Sequence, residues 1–315
     1  MKIVQASTHF SNNFEKVNSV NLLPMDEFRP KFESHDLVLN KTLPICETLL
    51  KKENITADQI GLILSISITP DRLVYDKSVG APRLCHPLQK FLKAKNAFVF
   101  DLLDSDWNTA LTIADGFIKS QNYNYGLIVR SEITHGSILP DLKSGFTIAD
   151  GVSAILVKES QTPILTEYKE LPSSKNINCR VDLLNQQELA KGKHKAQFTY
   201  NFDSKYLTEL NNTGNDLLEK ITQQKPSLCI SESWFKGHEL NSLPEQNIEI
   251  LQTRQSELFN HLGPYTFPFY CEKLLHQQGS SQNTKIGNIN YNPFLKRYSA
   301  TIVQLAKNSN TNHDN

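Results

Sequence analysis

TALTIADGFIKSQNYNYGLIVRSE, residues 109–132, decides the fold: Thr109 to Ser120 reads as a helix, and Tyr125 to Glu132 reads as a strand. Upstream, IGLILSISIT (Ile60 to Thr69) is a continuous run rich in β-branched residues that ends in Pro70-Asp71. That is the pattern of a parallel strand buried on both faces and closed by a turn. HPLQKFLKA (His86 to Ala94) places Leu88, Phe91 and Leu92 at helical spacing, and AFVFDLL (Ala97 to Leu103) is a second buried strand. Downstream, ADGVSAILVKE (Ala149 to Glu159) closes this half with a fourth strand. Strands and helices alternating in this order imply an α/β layer architecture.

A second half repeats the scheme more faintly. A helical stretch starts near Phe202, a strand covers Pro226 to Ser233, a helix Pro268 to Gln278 and a last strand Tyr298 to Ala306. The expected division is 1–165 and 166–306, linked somewhere in Ser160 to Pro172, with 307–315 a polar flexible tail. A single large α/β domain with a decorated edge is the alternative.

Composition bounds the function. The chain has 315 residues, 39% of them hydrophobic and 21% charged, which allows a sizeable core. Lys+Arg and Asp+Glu are balanced at 33 each, so no whole-protein field draws in nucleic acid or anionic lipid. Five scattered cysteines (Cys46, Cys85, Cys179, Cys229, Cys271) form no CxxC pair, and no histidine cluster has zinc-ligand spacing. The expectations are therefore reduced thiols, no metal and no cofactor. MKIVQASTHFSNN has no apolar segment before a small-residue cleavage site, and no apolar run approaches the ~20 residues that cross a bilayer. A cytoplasmic protein with no membrane or nucleic-acid partner is expected.

Four ordered segments resemble the ketoacyl-ACP synthase III family of the thiolase superfamily. ITADQIGLILSISITPD (55–71) is similar to its segment that ends in Thr-Pro-Asp, and LCHPLQKFLKAKNAFVFDLL (84–103) to the stretch that precedes its catalytic cysteine. ALTIADGFIKSQNYNYGLIVRSE (110–132) matches its nucleophile helix and following strand, and FTIADGVSAILV (146–157) its Phe-Gly-Asp-Gly segment, keeping Asp150 and Gly151. The resemblance covers roughly Ile55 to Lys158 and thins beyond. It implies a thiolase-like five-layer αβαβα fold with two related halves.

The same resemblance exposes departures at every chemical position. Where the family has its cysteine at a helix start, this chain has Asp104, or Asp106 if the match runs forward from Asp101. The family histidine falls on Ser231, and its asparagine on Pro264, which has no side-chain donor. A glycine loop that lines the family's active site falls on Phe294, Leu295, Lys296 and Arg297.

Each of these residues also has a plainer reading. Asp104, Ser105 and Asp106 are preferred helix caps. A serine nucleophile at Ser231 needs a base, for which His238 and His261 are the sequence neighbours. Trp107 and Trp234 either fill the former acyl cavity or pack an ordinary core. Cys85 and His86, adjacent on a helix, do not face each other. Lys191, Lys193 and Lys195 form a solvated turn or a carrier-protein contact, and Asp150-Gly151 a structural turn.

By resemblance, then, the chain is expected to be a ketosynthase-like subunit without the condensing triad. It would pair with an active homologue in polyketide, fatty-acyl or alkylquinolone-type secondary metabolism. The alternative is an acyltransferase with a remodelled site around Asp104, Ser231 and His261. Expected partners are a homologous ketosynthase subunit or a second copy, with acyl-CoA or an acyl carrier protein as small partners. Trp107, Trp234, Phe294 and Leu295 are the candidate substrate contacts.

Overall fold

The computed structural model describes residues 1–11, 14–17, 27–32, 38–67, 84–103, 105–133, 138–139, 150–162, 164–171, 178–183, 196–201, 204–232, 240, 248–252, 263–277 and 284–306. The first part of the chain forms β1 (Lys2–Phe10), β2 (Phe14–Val17), β3 (Glu27–Pro30), helix α1 (Val38–Glu53), β4 (Ile60–Ser67), α2 (Cys85–Leu92), β5 (Phe98–Leu103), α3 (Trp107–Gln121), β6 (Tyr125–Glu132), β7 (Ile138–Leu139) and β8 (Gly151–Lys158). The remainder forms β9 (Leu165–Glu170), β10 (Asn178–Leu183), β11 (Ala196–Asn201), α4 (Ser204–Thr222), β12 (Leu228–Glu232), β13 (Glu249–Gln252), α5 (Thr266–Gln277), β14 (Thr284–Asn292) and β15 (Arg297–Leu305).

The strand topology is duplicated. In space one set runs β5-β4-β6-β8-β1, and the other runs β13-β12-β14-β15-β9. Numbered within each set, both read third, second, fourth, fifth, first. The directions also match. β4 is parallel to β5 and β6, while β8 is antiparallel to β6 and β1. β12 is parallel to β13 and β14, while β15 is antiparallel to β14 and β9. The sets join where β1 meets β15 in parallel, at Lys2↔Gln304 and Ile3↔Leu305. β15 is the hub, bordered along its length by β14 on one side and by β9 and β1 on the other.

Residue alternation sorts the core into three apolar layers separated by the two sheets. Leu62, Leu64 and Ile66 of β4 and Ile155 and Val157 of β8 face a central cluster with Ala110, Leu111 and Ala114 of α3 and Phe267 and Cys271 of α5. That cluster also takes Leu228 and Ile230 of β12 and Val303 and Leu305 of β15. The intervening residues Ile63, Ala154 and Leu156 turn outward onto Cys46 and Leu49 of α1 and Leu88 and Leu92 of α2. On the far side, Cys229, Ala300 and Ile302 turn onto Tyr206, Leu210 and Leu217 of α4. Because both faces are covered, the strands need continuous apolar runs, as Ile60–Ser67 shows. The layering is helix, sheet, helix, sheet, helix.

The stretch Ser160 to Pro172, expected to link the halves, carries the edge strand β9. The tail 307–315 lies outside the described residues. Among the described residues no helix is long and apolar enough to cross a membrane, and no group of three or more His, Cys, Asp or Glu side chains could hold a metal ion.

Gly214 marks where α4 presses on the second sheet. A Cβ there would stand 2.4 Å from Leu240 Cδ2 and 2.7 Å from Tyr298 Oη. Gly214→Ala is expected to cost about 1–3 kcal/mol through overpacking, measured by urea denaturation.

Candidate functional site

Helix α3 starts in the interior between the two sheets. Its N-cap is Asp106, fully buried, whose Oδ1 accepts from Thr109 N at 2.8 Å and from Ser299 Oγ at 3.3 Å. An extended N-cap with an acidic side chain satisfies one of the free amides of the first turn. Asp104 lies outside the described residues, as do Trp234, His238 and His261. The alternative position, Asp106, is thus a cap.

Two of the positions singled out by the sequence, Trp107 and Pro264, meet here. Trp107, fully buried, donates from its indole Nε1 to the Pro264 carbonyl at 2.7 Å. Pro264 stands in a short 3₁₀ turn, Gly263–Tyr265, that leads into α5 and packs against β12. Ser231, buried, is near the end of β12. Trp107 also packs beside Phe267, ring centroids 6.2 Å apart. Phe294 and Leu295 are placed apart from this cluster. They sit in the turn between β14 and β15, where their amides donate to Asn292 Oδ1, both at 3.1 Å. Phe294 packs on the outer core beside α4, while Leu295 is 45% exposed. Of that loop Arg297 reaches the α3 start, donating to Thr109 Oγ1 at 3.1 Å.

Around the convergence lies a buried polar network not anticipated from the sequence. Asn108 donates from Nδ2 to the carbonyls of Asn288 (3.3 Å) and Ser299 (3.0 Å), and its Oδ1 accepts from Asn288 Nδ2 at 2.9 Å. Asn288 Nδ2 also donates to Glu232 Oε1 at 2.7 Å. Beside it, Arg130 Nε pairs with Glu132 Oε1 at 3.1 Å, both fully buried, and an Arg130 terminal nitrogen donates to the Ser105 carbonyl at 3.4 Å. Tyr265 Oη donates to the Gly151 carbonyl at 2.8 Å and accepts from Glu132 N at 3.2 Å. One signal for this network was available: Asn288, Asn290 and Asn292 alternate along β14, and all three are buried.

The electrostatics favour neutral groups. Burial pushes the Glu232 carboxyl up to about 8, against the lowering effects of Asn288 and Arg130, and Asp106 adds to the rise. Burial likewise lifts the Cys229 thiol to about 12 and the Cys271 thiol well above its usual range, with Glu232 contributing to the latter. Cys46 and Cys85 are also pushed up by burial. An activated nucleophile needs the opposite shift. The network is therefore suited to holding the start of α3, the end of β12 and the turn before α5 in register.

Glu232 makes stability depend on pH. Between about 4.5 and about 8 the unfolded carboxyl has lost its proton while the folded one keeps it, so stability falls as pH rises through that window. Glu232→Gln removes this slope. Thermal unfolding should show the variant's advantage over the parent growing from pH 5 to pH 8 and levelling above.

No family model matches the chain. It is 35% identical over 135 residues to the 2-heptyl-4(1H)-quinolone synthase subunit PqsB of Pseudomonas aeruginosa, covering 43% of this chain and 47% of that protein. It is 29% identical over 161 residues to β-ketoacyl-[acyl-carrier-protein] synthase III of Streptococcus sanguinis, covering 49% of this chain and 48% of that protein. The chain thus spans about half the length of the curated relatives it matches. The crystal structure of 3-oxoacyl-[acyl-carrier-protein] synthase III from Aquifex aeolicus superposes with a TM-score of 0.67 at 15% identity, over 96% of this chain and 99% of that one. The duplicated five-layer architecture is thus a thiolase-like fold, and the chain is homologous to PqsB and to ketoacyl-ACP synthases III.

Proposed function

We propose that this chain is a non-catalytic, ketosynthase III-like subunit that pairs with an active homologue in the biosynthesis of an acyl- or polyketide-derived secondary metabolite. The observation that carries the reading is the start of α3. Of the two positions on which the resemblance puts a cysteine, Asp104 lies outside the described residues and Asp106 is committed to capping, and the Trp107 indole, held by Pro264, fills the space beside it. Pro264 offers no side-chain donor to polarise a thioester. Each buried thiol among the described residues is held protonated. The name of the relative PqsB, a synthase subunit, points the same way.

The partner surface follows from exposure. β5 is the edge strand of its sheet, and Phe98 (49%), Phe100 (40%) and Leu103 (45%) are exposed along it. The Phe98 and Phe100 rings stand edge-on to Phe117 of α3, with centroids 5.2 and 5.8 Å away. An apolar edge strand left open invites pairing with another chain. A stable obligate interface buries roughly 2,000 Å² or more. The edge of β5 with the adjoining face of α3 is the place for it. Acyl-CoA or an acyl carrier protein would then be engaged chiefly by the partner's site.

Two measurements test this. Intact-mass spectrometry after incubation with acetyl-CoA or a longer acyl-CoA should find no acyl adduct on the isolated chain. Co-expression with an intact homologue should give a 1:1 complex whose turnover survives Asp104→Ala, while Phe100→Asp dissociates it and abolishes turnover. A homodimer that turns over substrate unaided and loses turnover in Asp104→Ala would establish the remodelled acyltransferase instead.

A further inference from the structure

Arg297 opens β15 with no anionic partner among the described residues. One of its terminal nitrogens donates to Thr109 Oγ1, and the guanidinium carbon stands 4.7 Å from the Tyr168 ring centroid. Its Nε is buried with no hydrogen-bond partner, and Arg297 forms no ion pair among the described residues. Glu170, its register partner across β9, is exposed and makes no ion pair with it. A guanidinium stacked on an aromatic ring and fixed by a hydroxyl is oriented to receive a carboxylate.

Its position ties it to the apolar face. Thr109, Ile113 and Phe117 recur every four residues and form one stripe along α3. Ile113 is 37% exposed, and Phe117 meets Phe98 and Phe100 at the other end of the stripe. Tyr168, 44% exposed, extends the surface beyond Arg297. Arginine and tyrosine beside an apolar core are the residues that commonly dominate interface energetics.

We propose that Arg297, stacked on Tyr168, is the charged anchor of this face and receives a carboxylate from a homologous partner chain. The proposal rests on the subunit reading above. The choice of a homologous chain over a second copy follows from that reading, since a second copy would also bring an exposed carboxylate, Glu170, to this face. A stable homodimer of the isolated chain that is lost in Arg297→Gln would overturn it.

The test uses the full chain and the intact homologue that co-purifies with it, with the dissociation constant measured across a range of salt concentrations. Arg297→Gln should weaken the complex about ten- to a hundredfold and flatten its salt dependence. Arg297→Lys should keep the salt dependence while recovering only part of the affinity, because it retains the charge without the planar fork. Circular dichroism and thermal unfolding of the isolated variants separate loss of binding from loss of fold. Restoration of the Arg297→Glu complex by a single acid-to-lysine change in the partner would identify the carboxylate. If Phe100→Asp dissociates the complex while Arg297→Gln leaves affinity and salt dependence unchanged, the anchor is refuted and the subunit reading stands. Equal losses from Glu170→Gln and Arg297→Gln would assign Arg297 to an internal pair. Failure to form any complex with the homologue overturns both readings.

Discussion

Asn108 reaches from the first turn of α3 to two carbonyls of the opposite sheet, Asn288 and Ser299, and takes back a hydrogen bond from the Asn288 amide. A helix that starts inside a protein brings polar amides where water cannot follow, and each must find a partner. Here Asp106 of the helix itself takes one of those amides, and side chains of the first turns reach the other half of the molecule. Asp106 caps the helix and touches Ser299, Thr109 meets Arg297, and Thr112 meets Thr166 of β9. The apolar layer between the sheets makes them adhere. The polar seam fixes where along that layer they stop, because sliding by one residue would strand several buried donors together.

The seam also gives the surroundings of this helix start a role that needs no chemistry. Residues that hold a helix start in place do so whether or not a nucleophile sits on it. A neutral Glu232 bonded to Asn288, and an Arg130–Glu132 pair sealed from solvent, serve registry. Buried ion pairs contribute little net stability when desolvation is counted, and their best-attested use is to select one arrangement over its neighbours.

How much of this could be read from the sequence depended on which faces were buried. Strands covered on both sides, such as Ile60–Ser67 and Gly151–Lys158, write themselves as apolar runs broken only by small serines. β9 borders the sheet with alternating exposure, LTEYKE, and reads as a linker. β14 was hidden for a different reason. Its asparagines are unfavourable in strands on average, yet this strand buries them, and Asn288 among them joins the polar seam. At the site, Ser231 and Pro264 were singled out by resemblance, whereas the residue that bonds Asn288 is the neighbouring Glu232. The contact between the Trp107 indole and the Pro264 carbonyl spans 157 positions, a pairing for which local pattern carries no signal.

β15, the last of the described strands, occupies the hub of both sets, flanked by β14, β9 and β1. On a ribosome this strand is made after every element it organises. The first set can assemble its five strands early, but the end of β1 that receives β15 stays open until synthesis reaches Leu305. Closing it joins residues separated by most of the chain, so the final step carries a large loop-closure entropy and belongs to the slow class of long-range pairings. The nascent chain therefore passes through a long interval with an uncovered central layer, when its apolar surface is open to chaperones.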